Sequence, residues 1–209
     1  MIHEILPVGP LQCNCSVIGD EVSREAMVID PGDDIEALLA IIRKHNLTVR
    51  QIVITHAHID HVGGASKLRK ITGAPILLNQ NDYELLKMID VQASWIGMAS
   101  PGKINVDQSI AHGDQVKAGA LTADVIHTPG HTEGSVCLYF PAEQTLIAGD
   151  TLFAGSIGRT DLPGGSFKKI ISSLHEKVLA LPDDTIVVPG HGPQTSIGEE
   201  RESNPFLTK

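Results

Sequence analysis

The run Thr55-His56-Ala57-His58-Ile59-Asp60-His61 places four metal-binding side chains within six residues. His56 and His58 are two apart, so an extended backbone presents both rings on one side. Asp60 and His61 follow where the pattern turns helical, and they address a neighbouring point. Imidazole nitrogen and carboxylate oxygen are donors that zinc, manganese and iron all accept. Three further candidates stand downstream: His131 after Thr128-Pro129-Gly130, Asp150 after Ala148-Gly149, and His191 after Pro189-Gly190. Five histidines and two aspartates exceed the needs of one tetrahedral ion. They suit two divalent ions about 3.5–4 Å apart that share a bridging carboxylate, with zinc expected and iron or manganese compatible with the same donors. Such a pair points to hydrolysis, because bound metal lowers the pKa of water toward about 7.

The elements that must position these groups are legible around them. Each ligand follows an apolar, β-branched run: Gln51-Ile-Val-Ile, Val125-Ile, Leu146-Ile-Ala and Ile186-Val-Val. A glycine or Pro-Gly at three of the four ends lets the backbone turn sharply. Strand ends in a sheet lie close together, so residues spread over 136 positions can converge. Further strands are expected at Leu11–Ile18, Glu25–Asp30, Pro75–Leu78 and Ser135–Phe140. Helices are expected at Asp33–His45, at Gly63–Thr72 closed by Gly73, and as one continuous element over Phe167–Leu181. Strands mixed with helices throughout predict an α/β protein with a sheet core covered by helices. Asp90–Gly102 has the weakest periodicity, holds the only tryptophan, Trp95, and reads as a loop or broken helix beside a pocket.

Composition narrows the function classes. The chain has 209 residues, 42% of them hydrophobic, and a formal net charge of −9. No apolar stretch approaches a membrane span and the first residues do not form a secretion signal, so no membrane association is expected. No Lys/Arg cluster exceeds Lys67–Lys70 or Lys168-Lys169, which argues against nucleic acid as a partner. Cys13, Cys15 and Cys137 do not form a disulfide pattern, and Cys13-x-Cys15 reads as buried thiols in a strand; a cytoplasmic location is expected. His127 reads as a packing residue or a support behind a ligand, and His3, His45, His112 and His175 as solvated or structural ones. Tyr83 and Trp95 are read as core residues or as flanks of the pocket. The sequence sets no oligomeric state.

These motifs in this order resemble the metallo-β-lactamase superfamily. The resemblance rests on Val28-Ile-Asp-Pro-Gly32, Thr55–Gly64, Thr128-Pro-Gly-His-Thr-x-Gly-Ser135, Ala148-Gly-Asp150 and Pro189-Gly-His191. Within it the chain is similar to the short bacterial glyoxalase II-like hydrolases, through Gly158-Arg-Thr-Asp161, Pro163-Gly-Gly165 and Asn204-Pro-Phe206. The resemblance implies an αββα sandwich, two mixed β-sheets flanked by helices, as a single domain over 1–209 without the C-terminal helical domain of full-length glyoxalase II. It implies that His56, His58 and His131 hold one metal, that Asp60, His61 and His191 hold the other, and that Asp150 bridges.

Asp30 is then a supporting residue or a plain turn aspartate. Arg159 is either a substrate-carboxylate contact or one half of a tie to Asp161. The implied activity is hydrolysis of a small thioester of the S-lactoylglutathione type by a metal-bridging hydroxide, with Asp60 acting on that hydroxide as well as ligating. A mononuclear iron persulfide dioxygenase and a lactonase-type hydrolase are the alternatives. β-Lactamases of this fold usually depart from Asp60-His61. Only eighteen residues follow His191, with Arg201 and Lys209 as their bases, so the usual grip on glutathione is largely missing.

Overall fold

The computed structural model describes residues 1–208. Its first half forms a six-stranded sheet of β1 (Ile2–Val8), β2 (Cys13–Gly19), β3 (Glu25–Ile29), β4 (Thr48–Val53), β5 (Ile76–Leu78) and β6 (Gln108–Ser109), in that spatial order. The second half forms another, with β7 (Gln115–Ala118), β8 (Leu121–His127), β9 (Val136–Phe140), β10 (Thr145–Gly149), β13 (Ile186–Pro189) and β14 (Thr195–Ser196) side by side. A small hairpin, β11 (Leu152–Phe153) with β12 (Ser156–Ile157), projects after β10. Both large sheets are mixed: β3, β4, β5 and β6 pair in parallel, as do β10 and β13, while the other pairings are antiparallel.

Side-chain alternation builds four layers from these two sheets. In β2, Cys13, Cys15 and Val17 face one way and Ile18 the other; in β3, Ala26 and Val28 oppose Met27 and Ile29. In β9, Val136, Leu138 and Phe140 face the opposite sheet while Cys137 faces outward. Both faces are therefore buried, which is why the inner strands read as nearly continuous apolar runs. Ile18, Met27, Ile29 and Val53 meet Val125, Leu138, Phe140 and Ile147 between the sheets. The outer face of the first sheet is covered by α1 (Ile35–Lys44), α2 (Ile59–Val62), α3 (Ala65–Thr72), α4 (Tyr83–Lys87) and α5 (Ile89–Trp95). That of the second is covered by α6 (Phe167–Ser173) and α7 (Ile197–Ser203). The expected αββα sandwich is what the chain forms, and none of its described helices is long and apolar enough to cross a membrane.

Two expectations need correction. Ile2–Val8 is a full strand, although no strand is predicted there; most of its residues are half-buried at the sheet edge and show no clean alternation. Phe167–Leu181 is not one α-helix: α6 gives way to a π-helical turn over Leu174–Val178. Residues four apart drift one way around an α-turn and the other way around a wider π-turn. The switch thus keeps Ile170, Leu174 and Val178 all fully buried against the second sheet. The weakly periodic segment is partly helical, as α5, and irregular after Trp95.

Strand direction sets where chemistry can gather. The parallel strands β3, β4 and β5 release their C-terminal ends along one edge. In the second sheet β8 and β10 both run antiparallel to β9, and β13 runs parallel to β10, so these three also end together. Backbone hydrogen bonds from Val136 N to Thr55 O (2.9 Å) and from Asn14 N to Gly190 O (2.7 Å) stitch the two sheets at that edge.

Asp20 makes a comparable stitch elsewhere. Its carboxylate accepts from Ala120 N (2.8 Å) in the β7–β8 turn, and from Val22 N and Ser23 Oγ (both 2.9 Å) in the β2–β3 turn. These donors, Ala120 first, hold its pKa at about 2, below the usual carboxylate value. The stabilisation is therefore present at pH above about 4 and fades as the pH falls toward 2. Asp20→Ala should lower the melting temperature at pH 7, and the gap to wild type should close at pH 2 in parallel calorimetric scans.

Candidate metal centre

The Thr55–His61 segment leaves β4 as a turn whose backbone is held by two side chains from elsewhere. Ala57 N donates to Asp82 Oδ2 (2.9 Å), and Gln92 spans the turn by accepting from Ile59 N and donating to Ala57 O (both 3.1 Å). Clamped at Ala57, the extended stretch sends His56 and His58 to the same side, and α2 then buries Asp60 and His61. His131 follows Gly130 at the end of β8, Asp150 follows Gly149, and His191 follows Gly190. The last two glycines are sterically required. Gly149 has φ +48°, and a Cβ there would lie 2.6 Å from Thr55 Oγ1. A Cβ at Gly190 would run into Asp150 Oδ1. The side chains thus assemble where the backbone leaves them room.

All seven predicted ligands meet at this edge. His56 Nε2, His58 Nδ1 and His131 Nε2 stand 2.9–3.2 Å from one another. Beside them lies a second group, with His191 Nε2 3.2 Å and His61 Nε2 3.6 Å from Asp60 Oδ2. Asp150 stands between the groups: its Oδ2 is 3.5 Å from His131 Nε2, and its Oδ1 is 3.4 Å from His61 Nε2 and 3.7 Å from His191 Nε2.

The outward nitrogens are fixed by partners. His131 Nδ1 donates to Arg159 O (2.8 Å), His191 Nδ1 to Leu11 O (3.0 Å), and His61 Nδ1 to Asp30 Oδ2 (2.9 Å). Thr55 Oγ1 donates to the same Asp30 oxygen (2.7 Å) and lies 3.1 Å from His56 Nδ1. Committing Nδ1–H outward leaves the Nε2 lone pair of each of these four rings pointing into the cluster, as metal-ligating histidines require.

The donor set fits a pair of cations. His61 Nε2 and Asp150 Oδ1 are buried atoms with no hydrogen-bond partner. Three imidazole nitrogens converge in the first group, where lone pairs cannot all be satisfied by one another's protons. Burial, and then the neighbouring rings, hold His56 far below its ordinary pKa and bring His58 down to about 3, so both rings are neutral donors. Burial alone would raise the Asp60 carboxyl, but His61 and His191 outweigh it and keep it ionised. Burial would likewise lower His61, but the surrounding Cys13, Asp60, Asp150 and Asp30 carry it above the usual range. The carboxylates favour a proton on His61 and His191, and a buried group of this kind is a site at which a metal cation replaces protons.

Over the cluster lies a cleft of about 640 Å³ with His58, Asp60, Asp150 and His191 on its floor. Leu11, Met88, Trp95 and Phe153 contribute to its walls. Trp95 is thus a flank of the pocket, at 60% exposure, while Tyr83 packs against the core beneath the first sheet. Arg159 lines the rim and makes a bidentate ion pair with Asp161 (2.8 Å for each bond). Asp30 proves to be a supporting residue, and His127 bonds to Glu133 O (2.8 Å) away from the cluster. Cys13 and Cys15 are fully buried thiols, with Cys13 Sγ 3.5 Å from His61 Nδ1.

Sequence reasoning missed three supports. Asp82 accepts from Ala57 N, Thr132 Oγ1 (2.8 Å) and Gly134 N (2.6 Å), and so ties the first histidine turn to the His131 turn. Gln92 sits inside the segment whose periodicity is weakest. Glu200 accepts from Gly155 N (3.0 and 3.1 Å), Thr195 Oγ1 (2.7 Å) and Asn204 Nδ2 (2.6 Å), and Asn204 also reaches Ser156 O (3.0 Å). The Asn204-Pro-Phe motif therefore braces the β11–β12 hairpin that walls the cleft. Its spacing was the one signal available for any of these.

A family model described as the metallo-beta-lactamase superfamily matches residues 8–191. The chain is 38% identical to the hydroxyacylglutathione hydrolase GloC of Haemophilus influenzae, over 98% of this chain and 97% of that one. Among solved structures, the BLEG-1 B3 metallo-beta-lactamase superposes with a TM-score of 0.92 at 38% identity, over 100% of both chains. TTHA1623, solved in a di-iron-bound form, superposes with a TM-score of 0.89 at 38% identity, over 98% of this chain and 100% of that one.

The shared support at Asp30 gives a direct test. Asp30→Ala removes the acceptor from His61 and from Thr55 together, and should weaken metal binding by about 10- to 100-fold in a chelator-competition titration. Asp30→Asn, which keeps the shape and one acceptor oxygen, should fall between that variant and wild type.

Proposed function

The chain belongs to the metallo-beta-lactamase superfamily, and from that membership we propose that it is a dinuclear metal-dependent hydrolase of thioesters of the S-lactoylglutathione type. The observation that carries this reading is the pair of donor groups meeting at Asp150, with His61 Nε2 and Asp150 Oδ1 left unpartnered between them. His56, His58 and His131 would hold one ion and Asp60, His61 and His191 the other, with Asp150 shared. Two divalent ions there would supply Lewis acidity for a carbonyl oxygen and would acidify water at neutral pH.

The chain's own groups do the rest. Asp60 turns Oδ2 toward His191 and His61, which leaves Oδ1 to take up the proton released as water adds to the carbonyl. The histidines on the cleft floor are committed to the cluster, and the other cation lining it, Arg159, stays protonated at neutral pH. An amine leaving group would therefore depend on the proton that Asp60 has just taken up. A thiolate, whose conjugate acid has a pKa of about 8.5, departs without that help. This favours a thioester over an amide. The 38% identity to GloC supports the same substrate class.

A second reading has an observation of its own. The three-histidine group closes without the second set, so a mononuclear iron enzyme acting on a persulfide is the alternative, and the di-iron form of TTHA1623 supports iron as a metal this donor set accepts. The likeness to BLEG-1 adds a β-lactam to the substrate panel, beside a lactone.

Protein with its metals quantified should hydrolyse S-lactoylglutathione, lose that activity on chelation, and regain it when zinc or iron is restored. Asp60→Ala and Asp150→Ala should each lower kcat by about 10²-fold or more. Oxygen uptake with glutathione persulfide at one iron per chain, without thioester cleavage, would overturn the hydrolase reading in favour of the oxidative one. Preferential opening of a β-lactam or lactone would overturn the thioester assignment.

A further inference from the structure

The cleft divides sharply by chemistry, and the division bears on the part of the substrate that does not react. Its ionisable groups lie on the floor, in the metal centre, with one exception at the rim: among the described residues lining it, Arg159 is the cation outside the cluster. The walls are mostly apolar, with Gln92 and Ser156 the uncharged polar side chains among the described lining residues. Leu11, Met88 and Trp95 are 46%, 37% and 60% exposed, so large apolar side chains are held open toward the cleft rather than folded into the core. Met88 caps the N-terminus of α5 and Trp95 ends it, seven residues on, a spacing that puts them on one side of the helix. Phe153, on the braced β11–β12 hairpin, lines the same cleft.

The rim cation is already engaged. Arg159 Nε and Nη2 meet the two Asp161 oxygens at 2.8 Å each, and the pair is charge-neutral as a unit. A glutathione moiety carries two carboxylates and an ammonium group. Placed in this cleft, it would set those charges against Trp95, Met88 and Leu11 without free partners, and desolvating a charge with no partner is strongly unfavourable. An uncharged alkyl or aryl body instead covers the exposed indole and thioether, with a gain from each buried apolar surface.

Building on the thioester reading, we infer that the preferred substrates are thioesters of uncharged, apolar thiols rather than of glutathione. Trp95 and Met88 are the specificity-determining residues, and Asp161 withholds Arg159 from anionic substrates.

The experiment compares the D-lactoyl thioesters of benzyl mercaptan and of glutathione on metal-loaded protein, in wild type, Trp95→Ala and Asp161→Asn. In wild type the benzyl thioester should show a kcat/KM at least about tenfold higher, mainly through KM. Trp95→Ala should raise KM for the benzyl thioester about tenfold, with kcat within about twofold, and so remove most of the preference over the glutathione thioester. Asp161→Asn should improve kcat/KM for the glutathione thioester by about two- to fivefold, the size expected of releasing an exposed ion pair, and leave the benzyl thioester unchanged. Both positions are solvent-exposed, and unchanged melting curves will confirm that the variants are folded. Equal or better use of the glutathione thioester, or a Trp95→Ala effect equal on both substrates, overturns this inference while leaving the thioester reading standing. Cleavage of neither thioester removes both.

Discussion

Asp30 Oδ2 takes two hydrogen bonds inside the protein, from the Thr55 hydroxyl at 2.7 Å and from His61 Nδ1 at 2.9 Å, while Oδ1 takes the Thr55 amide at 2.7 Å. A carboxylate this deeply buried is tolerated only when donors surround it. Satisfying it fixes three things together: where β4 ends, which tautomer His61 adopts, and, through the Thr55 hydroxyl, the orientation of His56. The two histidines sit in different donor groups, so one residue at the end of β3 sets the relative position of both halves of the metal centre. That role explains why Asp30 sits at φ +55°, a backbone region unfavourable for residues other than glycine.

The same constraint reaches the second sheet. Gly149 must lack a side chain because Thr55 occupies the space above it, and Gly190 must lack one because Asp150 and His61 do. Backbone contacts of Thr55 O and Gly190 O across the sheet edge hold the two halves in register. The cluster is thus made by the docking of two sheets, and neither sheet alone contains the complete set of donor side chains. His131, Asp150 and His191 come from the second, while His56, His58, Asp60 and His61 come from the first.

Much of this was legible in the residues. Strand ends followed by Gly or Pro-Gly gave His131, Asp150 and His191, and the run after Thr55 gave the other four members of the cluster, because the signal is local: an apolar run, a turn residue, a donor. The layered α/β architecture followed from the same runs, with the resemblance supplying how the layers stack. What escaped was non-local or depended on packing. Asp82 carries no local pattern and Gln92 lies in the weakly periodic segment, and the turn backbone groups that they hold are 25 to 52 positions away. Ile2–Val8 escaped because an edge strand with half-buried residues has no clean period. The π-turn escaped because Ile170, Leu174 and Val178 fit an α-helical pattern well enough that only the packed structure separates the two.

The supports also show which parts of the site are free to change. Each ligand is held by its strand, by a turn residue with no room for a side chain, or by a hydrogen bond to its outward nitrogen, and usually by two of these. Single changes there propagate through shared partners. The cleft walls are different in kind: Leu11 lies in a turn, Trp95 at the end of a short helix, and Phe153 on a two-residue strand braced from behind by Glu200 and Asn204. Their side chains face the cleft and support little else, so substitutions reshape the opening without disturbing the metal centre. A scaffold divided in this way keeps its chemistry constant while its substrates vary, since reaction and recognition draw on separate sets of residues. Chains about equally similar to this one bear such different descriptions as a hydroxyacylglutathione hydrolase and a β-lactamase.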